Sequence, residues 1–371
     1  MDFAFSEEQE ELRRTIRRFF SEHSPISEVR RLMETEDGYN PEQWAQLADP
    51  LGLQALTVPE EYGGQGFGSL ELTVVLEEMG RALVCAPYFA TVVLAANALL
   101  ASDDDDAKRE LLPSIASGET IATLAFTEDN GRWDESGVEM RAVESGGTWR
   151  LDGHKMYVLD GHIASLVLVV ARTQNGLSLF GVDGSAEGLA RSPFQTMDLT
   201  RRQARLEFSA TPARLIGPEG GAGGILTRTL DLAAVALAAE QVGGAQRCLE
   251  MSVEYAKNRF QFGRPIGSFQ AIKHKCADVL LEIESAKSAA YYASWAADED
   301  ADDLPLVASM AKAYCSESYF HAAAENIQIH GGIGFTWDDD AHLYFKRAAS
   351  SGLLFGDAAY HRERLLQHAQ L

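Results

Sequence analysis

The residue types best suited to chemistry gather in two short segments. One is Arg259-Phe-Gln-Phe-Gly-Arg-Pro-Ile-Gly-Ser-Phe-Gln270, the other Gln328-Ile-His-Gly-Gly-Ile-Gly-Phe335. Both set polar side chains beside glycines, between stretches with helical character. Bare backbone at glycine can approach a phosphate or a flat ring, and a guanidinium can pair with two phosphate oxygens at once. The chemistry suggested is the holding of a phosphate-bearing ligand. Plain structural readings stand beside it: Arg259 could end a helix, where a cation suits the dipole, and Gly331-Gly332 could be a helix stop.

The elements that must carry these segments follow from periodicity and turn residues. Ser6-Glu-Glu-Gln-Glu10 predicts a capped helix start, followed by apolar residues at Leu12, Ile16, Phe19 and Phe20. Val58-Pro-Glu-Glu-Tyr-Gly-Gly-Gln-Gly-Phe67 reads as a glycine-rich break, and the acids Asp103 to Asp106 as a solvated loop or helix start. Near residue 120 the pattern turns to strands. Asp152-Gly153 and Asn175-Gly176 each sit between strand-like runs and predict hairpins. Beyond Gly224 three long helices are expected, Leu226 to Asn258, Phe269 to Ala297 and Leu304 to Ile329, with a fourth in the remainder. The acids from Asp298 to Asp303 read as a link between two of them. The expected class is α+β: a helical domain over 1–118, an antiparallel β domain over 119–218 and a four-helix bundle over 219–371. No internal repeat is visible.

Composition narrows the function. The 371 residues are 46% hydrophobic, enough for two or three packed units. Asp and Glu number 55 against 32 Lys and Arg, a net charge of −23 that disfavours nucleic acid and anionic membranes. The four cysteines, Cys85, Cys248, Cys276 and Cys315, are too scattered for a metal site or a disulfide framework and read as reduced core residues. The polar start, Met1-Asp-Phe-Ala-Phe-Ser-Glu-Glu, is unlike a signal peptide, and the apolar run from Phe89 to Ala101 is too short to span a bilayer. The expectation is a cytoplasmic protein with no membrane insertion.

In their order along the chain, the Arg259 and Gln328 segments resemble the flavin-binding signatures of the acyl-CoA dehydrogenase family. Val58 to Gly66 is similar to that family's N-terminal Pro-Glu-x-Tyr-Gly-Gly signature, and the resemblance covers essentially the whole chain. It implies FAD between a β domain and a helical bundle, with a neighbouring subunit over its ADP end. It assigns Leu124, Phe126 and Thr127 to the strand beside the isoalloxazine ring. Tyr157 falls where many relatives carry a tryptophan against the flavin. Arg259, Gln261 and Phe262 are implied on the pyrophosphate and adenine side, with Gln270, Gln328, Gly331 and Gly332 lining the rest. Two departures stand out. The segment Thr127-Glu-Asp-Asn-Gly-Arg-Trp133 lacks the serine that approaches a phosphate in relatives, and Leu159 replaces a threonine whose hydroxyl lies near flavin N5.

The reaction implied is removal of a proton α to a thioester with hydride transfer from the β-carbon to the flavin, giving a trans-2-enoyl-CoA. Its usual base is a carboxylate in a dry setting. In the commonest branch that base is the Glu of a Tyr-Glu-Gly segment. The matching segment here, Leu354-Phe-Gly-Asp-Ala358, puts Phe355 or Gly356 there, with Asp357 adjacent, shorter and displaced. A second branch uses a Glu where this chain has Ala233. Glu240, seven residues on, projects from nearly the same helical face, among Ala233, Leu237 and Gly244. Glu240 is therefore the candidate base, with Asp357 a weaker one and an ordinary solvated or paired glutamate the plain alternative. His330 is expected to be structural or cofactor-facing. Lys155 and Arg132 could meet CoA phosphates or lie on the surface, and Trp337 with Asp338 to Asp340 reads as a loop or helix start.

Three functions remain open. The first is an acyl-CoA dehydrogenase that hands electrons to an electron-transfer flavoprotein. The second is a subunit that completes a partner's FAD site without doing chemistry itself. The empty base positions resemble an actinobacterial-type branch that forms mixed tetramers, some acting on steroid side-chain thioesters. The third is a flavin oxidase or monooxygenase, for which no residue speaks. The oligomer implied is a tetramer, homomeric or mixed.

Overall fold

The structure, a computed structural model, describes residues 5–369. Met1 to Ala4, part of the polar start, lie outside the described residues. Along the chain the helices are α1 (Glu7–His23), α2 (Ile26–Leu32), α3 (Pro41–Ala48), α4 (Ser69–Ala82), α5 (Asn97–Leu100), α6 (Asp105–Ala116), α7 (Ala222–Asn258), α8 (Gln270–Asp298), α9 (Leu304–His330), α10 (Ala341–Leu353) and α11 (Ala358–His368). The strands are β1 (Ala122–Ala125), β2 (Arg141–Ser145), β3 (Thr148–Leu159), β4 (Leu166–Thr173), β5 (Gly176–Asp183), β6 (Leu189–Pro193), β7 (Gln203–Ile216), β8 (Phe260–Gln261) and β9 (Arg264–Pro265). They form two compact units, neither continuous in sequence. One holds residues through Arg30, Ser69–Val84 and everything from Ala234. The other holds Arg31–Gly68 and Cys85–Ala233.

The first unit is helical. Ser6 opens α1 with a reciprocal cap: its hydroxyl accepts from the Gln9 amide while the Gln9 side chain accepts from the Ser6 amide. On α8, Val279, Ile283, Ala286, Ala290, Ala293 and Ala297 are buried at alternating steps of four and three, the stripe a core-facing helix needs. Contact between α4 and α7 is closer than side chains allow. A Cβ on Gly80 would fall 2.0 Å from the Glu240 carbonyl oxygen, and one on Gly243 would fall 1.8 Å from that of Glu77. The expected fourth bundle helix is two helices, α10 and α11. They are broken at Leu354 to Asp357, where Phe355 and Gly356 take φ of 59° and 105° and Asp357 caps α11 by accepting from the Tyr360 amide at 2.8 Å.

The second unit is built on a sheet that closes on itself: β4 pairs β5, β5 pairs β7, β7 pairs β3, β3 pairs β2, and β2 returns to β4. Its pairings are antiparallel except β1 with β4 and the single β2–β4 contact, which are parallel. Closure leaves few unpaired edges. A hairpin joins β4 and β5 as expected, with Gln174-Asn175 as its two-residue turn and Gly176 already paired with Thr173. The Asp152-Gly153 expectation is corrected: β3 runs unbroken through it, with a bulge between Leu151 and Gly153, and the hairpin into β3 turns at Gly146-Gly147 instead. An Asp-Gly pair serves a bulge as readily as a turn, because both need a residue outside the ordinary strand region. A second bulge between Lys155 and Val158 sets Tyr157 at φ 56°. Around the sheet, Thr91 donates to the Ala122 carbonyl at 3.1 Å, Tyr88 to that of Leu53 at 2.8 Å, and the Trp44 indole to that of Gly118 at 2.8 Å.

Asp104 caps α6, so the acidic run is a helix start. Cys85, Cys248 and Cys315 are buried, all four cysteines are free, and no metal-binding cluster occurs among the described residues. By length and composition α7 could cross a membrane, but 67% of its apolar window is buried within the fold. Gly80→Ala should lower stability by about 3 kcal/mol through overpacking against backbone, whereas Gly224→Ala, which meets nothing within 4 Å, should not. Urea midpoints of the two variants check this.

Candidate functional site

The two motif segments meet in the helical unit. Ser252 on α7 donates to the Asn326 side chain on α9 at 2.9 Å, and the Tyr255 ring stacks on His330 at 4.2 Å between centroids. These contacts set the end of α7, and Arg259 just beyond it, beside the end of α9 and its Gly331-Gly332. His330 is thus structural: it is buried and its Nδ1 bonds the Asn326 carbonyl at 2.8 Å. Arg259 is exposed and its side chain forms no ion pair among the described residues. Gln261 ends β8, paired with Arg264, and Phe262 opens the two-residue turn to β9 and is 90% exposed. Gln270, which begins α8, and Gln328 are also exposed. Gly331 takes φ 70°, a conformation that favours glycine, and a Cβ on either Gly331 or Gly332 would meet nothing within 4 Å. An uncommitted guanidinium beside open, bare backbone suits a phosphate-bearing cofactor such as FAD.

In the sheet unit, Leu124, Phe126 and Thr127 are buried at the end of β1 and just past it. Tyr157 alone of the residues expected near a flavin ring exposes a large aromatic face, tilted against Phe194 at 5.6 Å. Lys155 is not a CoA-phosphate contact. It is 0% exposed, donating to the Phe126 carbonyl at 3.2 Å and to Glu128 at 2.6 Å. Burial pushes its ammonium down to about 8, against the pull of Glu128. Glu128 also accepts from the amides of Glu139 and Met140 at 3.0 and 2.9 Å, so the segment that lacks the family's serine is tied down by a carboxylate. Arg132 is exposed and bonds Ser136.

Both candidate carboxylates are engaged. Glu240 is 4% exposed, but its surroundings are not the small apolar ones expected: Arg347 of α10, itself 2% exposed, donates to it at 2.8 Å. Arg347 thus already holds one of the two oxygens that Glu240 could offer to a proton. Asp357 is exposed and spent on the α11 cap. Ala233, Phe355 and Gly356 are buried and carry no acid. Arg347 lies 107 residues from Glu240, and no local pattern could have signalled it.

The turn after α10 is held by two further groups that sequence reading missed. Lys312 of α9 is 0% exposed and donates to the Ser316 hydroxyl and to the Gly352 and Gly356 carbonyls. Burial pushes its ammonium down to about 7, with Cys315 and Asp357 pulling it up, and the three acceptors around it are those a charged ammonium needs. His361 of α11 bonds the Phe355 carbonyl through Nε2 at 3.1 Å. Burial first, then Lys312 and Arg364, push His361 down to about 3.

Glu240→Gln removes the carboxylate that Arg347 pairs with and should cost about 3 kcal/mol, read as a lower Tm; unchanged stability with lost turnover would mark Glu240 as a working base instead. His361 stays neutral in the folded chain where the unfolded chain would protonate. Its contribution is therefore complete above the ordinary histidine value near 6.5 and declines as pH falls toward about 3. Unfolding measured at stepped pH should show a shallower acid decline in His361→Gln than in the parent.

Comparison with known proteins finds relatives along the whole chain. Residues 6–119, 123–210 and 221–370 match the family models for the acyl-CoA dehydrogenase N-terminal, middle and C-terminal domains. Acyl-CoA dehydrogenase IpdE2 of Mycobacterium tuberculosis is 38% identical over 94% of this chain and 93% of its own length. The ChsE4-ChsE5 complex of Mycobacterium tuberculosis contains a chain 29% identical, covering 100% of this chain and 99% of that one with a TM-score of 0.91. A chain of a variant of the Tcur3481-Tcur3483 steroid ACAD is 34% identical over 98% of each chain with a TM-score of 0.88. The chain belongs to the acyl-CoA dehydrogenase family and is an oxidoreductase of that kind.

Proposed function

We propose that the chain serves in the α,β-dehydrogenation of an acyl-CoA thioester to the trans-2-enoyl-CoA as one of two different, related subunits of a tetramer. It would help to complete an FAD site while the partner chain supplies the proton-accepting carboxylate. The observation that carries this reading is the state of the acids: Glu240 is held by Arg347, Asp357 caps a helix, and the two familiar base positions hold none. Bound FAD would supply the hydride acceptor at N5. Arg259, Gln261 and Phe262 would attend its pyrophosphate and adenine side, Gln270, Gln328, Gly331 and Gly332 the remainder, and Leu124, Phe126, Thr127 and Tyr157 its ring. Support for a mixed assembly comes from the similarity to a chain of the ChsE4-ChsE5 complex, and for a steroid-derived thioester from the Tcur3481-Tcur3483 steroid ACAD. On this reading electrons pass to an electron-transfer flavoprotein, in the cytoplasm, and the chain divides near residues 118 and 218 into helical, β and bundle portions.

A second reading keeps all the chemistry in this chain, with Glu240 as base. The burial of that carboxylate favours it, since a dry site is what a thioester base needs. The visible spectrum of the chain purified alone, before and after anaerobic addition of acyl-CoA, separates the two. We expect no bleaching by steroid-derived or straight-chain thioesters, and a second, similar chain co-purifying from the native host. Bleaching of flavin on the isolated chain would overturn the partner reading.

A further inference from the structure

Lys312 spends all three N–H groups on one small region. Its Nζ lies 3.0 Å from the Ser316 hydroxyl, 3.1 Å from the Gly352 carbonyl and 3.0 Å from the Gly356 carbonyl. Gly352 is the penultimate residue of α10, where a helix leaves carbonyls unbonded and a cation is favoured. Gly356 closes the turn, and Phe355 before it holds a left-handed φ of 59° that costs a non-glycine residue about 1–3 kcal/mol. Ser316 is itself bonded to Gln241 of α7, which also donates to Ser351 at 3.3 Å. One ammonium thus ties α9, the end of α10 and the 354–357 turn together.

A buried ammonium with no carboxylate bonded to it is costly, and a methionine of similar length would avoid the cost. What offsets it is the set of three charge-assisted bonds, two of them to the main chain of a strained turn. Such an arrangement fixes a shape that apolar packing alone would leave free to relax.

We propose that Lys312 is a positioning residue of the acyl site: it sets the conformation of the 352–357 turn and so the placement of Phe355, governing thioester binding rather than proton transfer. This rests on the dehydrogenase reading of the turn given above. His361 acts with it from the other side, through the Phe355 carbonyl.

Hydrogen exchange resolved by residue on the full chain tests the clamp directly. Lys312→Met should speed exchange of the amides from Leu353 to Asp357 about tenfold or more, as loss of charge-assisted bonds implies, with α1 and α4 unchanged. Lys312→Arg should restore part of the protection. In the native assembly, calorimetric affinity for a steroid-derived acyl-CoA should fall about tenfold, equivalent to 1.4 kcal/mol, while kcat at saturation holds. Exchange that rises equally everywhere, or not at all, would overturn the proposal. So would a turn that loosens without any change in thioester affinity. A parent assembly that binds no thioester at all would sink the dehydrogenase reading itself, with the exchange result still deciding whether the clamp exists. If Lys312→Met does not fold, Ser316→Ala removes a single acceptor and reads the same amides.

Discussion

A charge withdrawn from water has to be met inside the protein, and this constraint shapes the backbone in both compact units. Three buried groups answer it in three ways. Glu240 is met by a guanidinium, Lys155 by a carboxylate and a carbonyl, and Lys312 by a hydroxyl and two carbonyls. Each answer fixes a stretch of backbone: the middle of α7, the strand end at Phe126 and the turn after α10. Apolar packing fills these units, but it does not orient main-chain carbonyls, and the buried charges do.

The same principle separates an acid suited to taking up protons from one suited to holding a fold. A working base needs a dry carboxylate whose proton-accepting oxygens face the ligand. Glu240 meets the first condition and has Arg347 against one of its oxygens. Asp357 fails the first, since it is exposed at a helix cap. The family's fold is thus present with both candidate acids already engaged, an arrangement that the proposed mixed assembly accommodates.

Legibility in the sequence followed the distance over which each feature is determined. The Ser6 cap, the β4–β5 hairpin and the long helices α7, α8 and α9 are set by residues within a few positions, and each was readable. The Arg259 and Gln328 segments stood out for the same reason, since their glycines and arginines are local features. The break between α10 and α11 escaped because Leu354-Phe-Gly-Asp contains only one weak helix breaker. Asp152-Gly153 misled because the pair suits two geometries, and only the partner strand β7 decides between them. Arg347 beside Glu240, Glu128 beside Lys155 and the Gly352 and Gly356 carbonyls around Lys312 are 107, 27, 40 and 44 residues apart in sequence. Tertiary folding alone brings them together, so a side chain that reads as surface proved to be core.

The second bulge of β3 carries one more implication. Along a regular strand Tyr157 would share a face with Lys155 and turn inward. The extra residue breaks the alternation, so that Lys155 and Val158 are both buried and the tyrosine ring faces outward between them. The exposed ring is therefore a property of chain length as much as of residue identity. Many substitutions could be absorbed in this strand, whereas loss of one residue between Lys155 and Val158 would erase the bulge and the left-handed backbone at Tyr157 that goes with it. Over evolutionary time the spacing here should be kept more strictly than the letters.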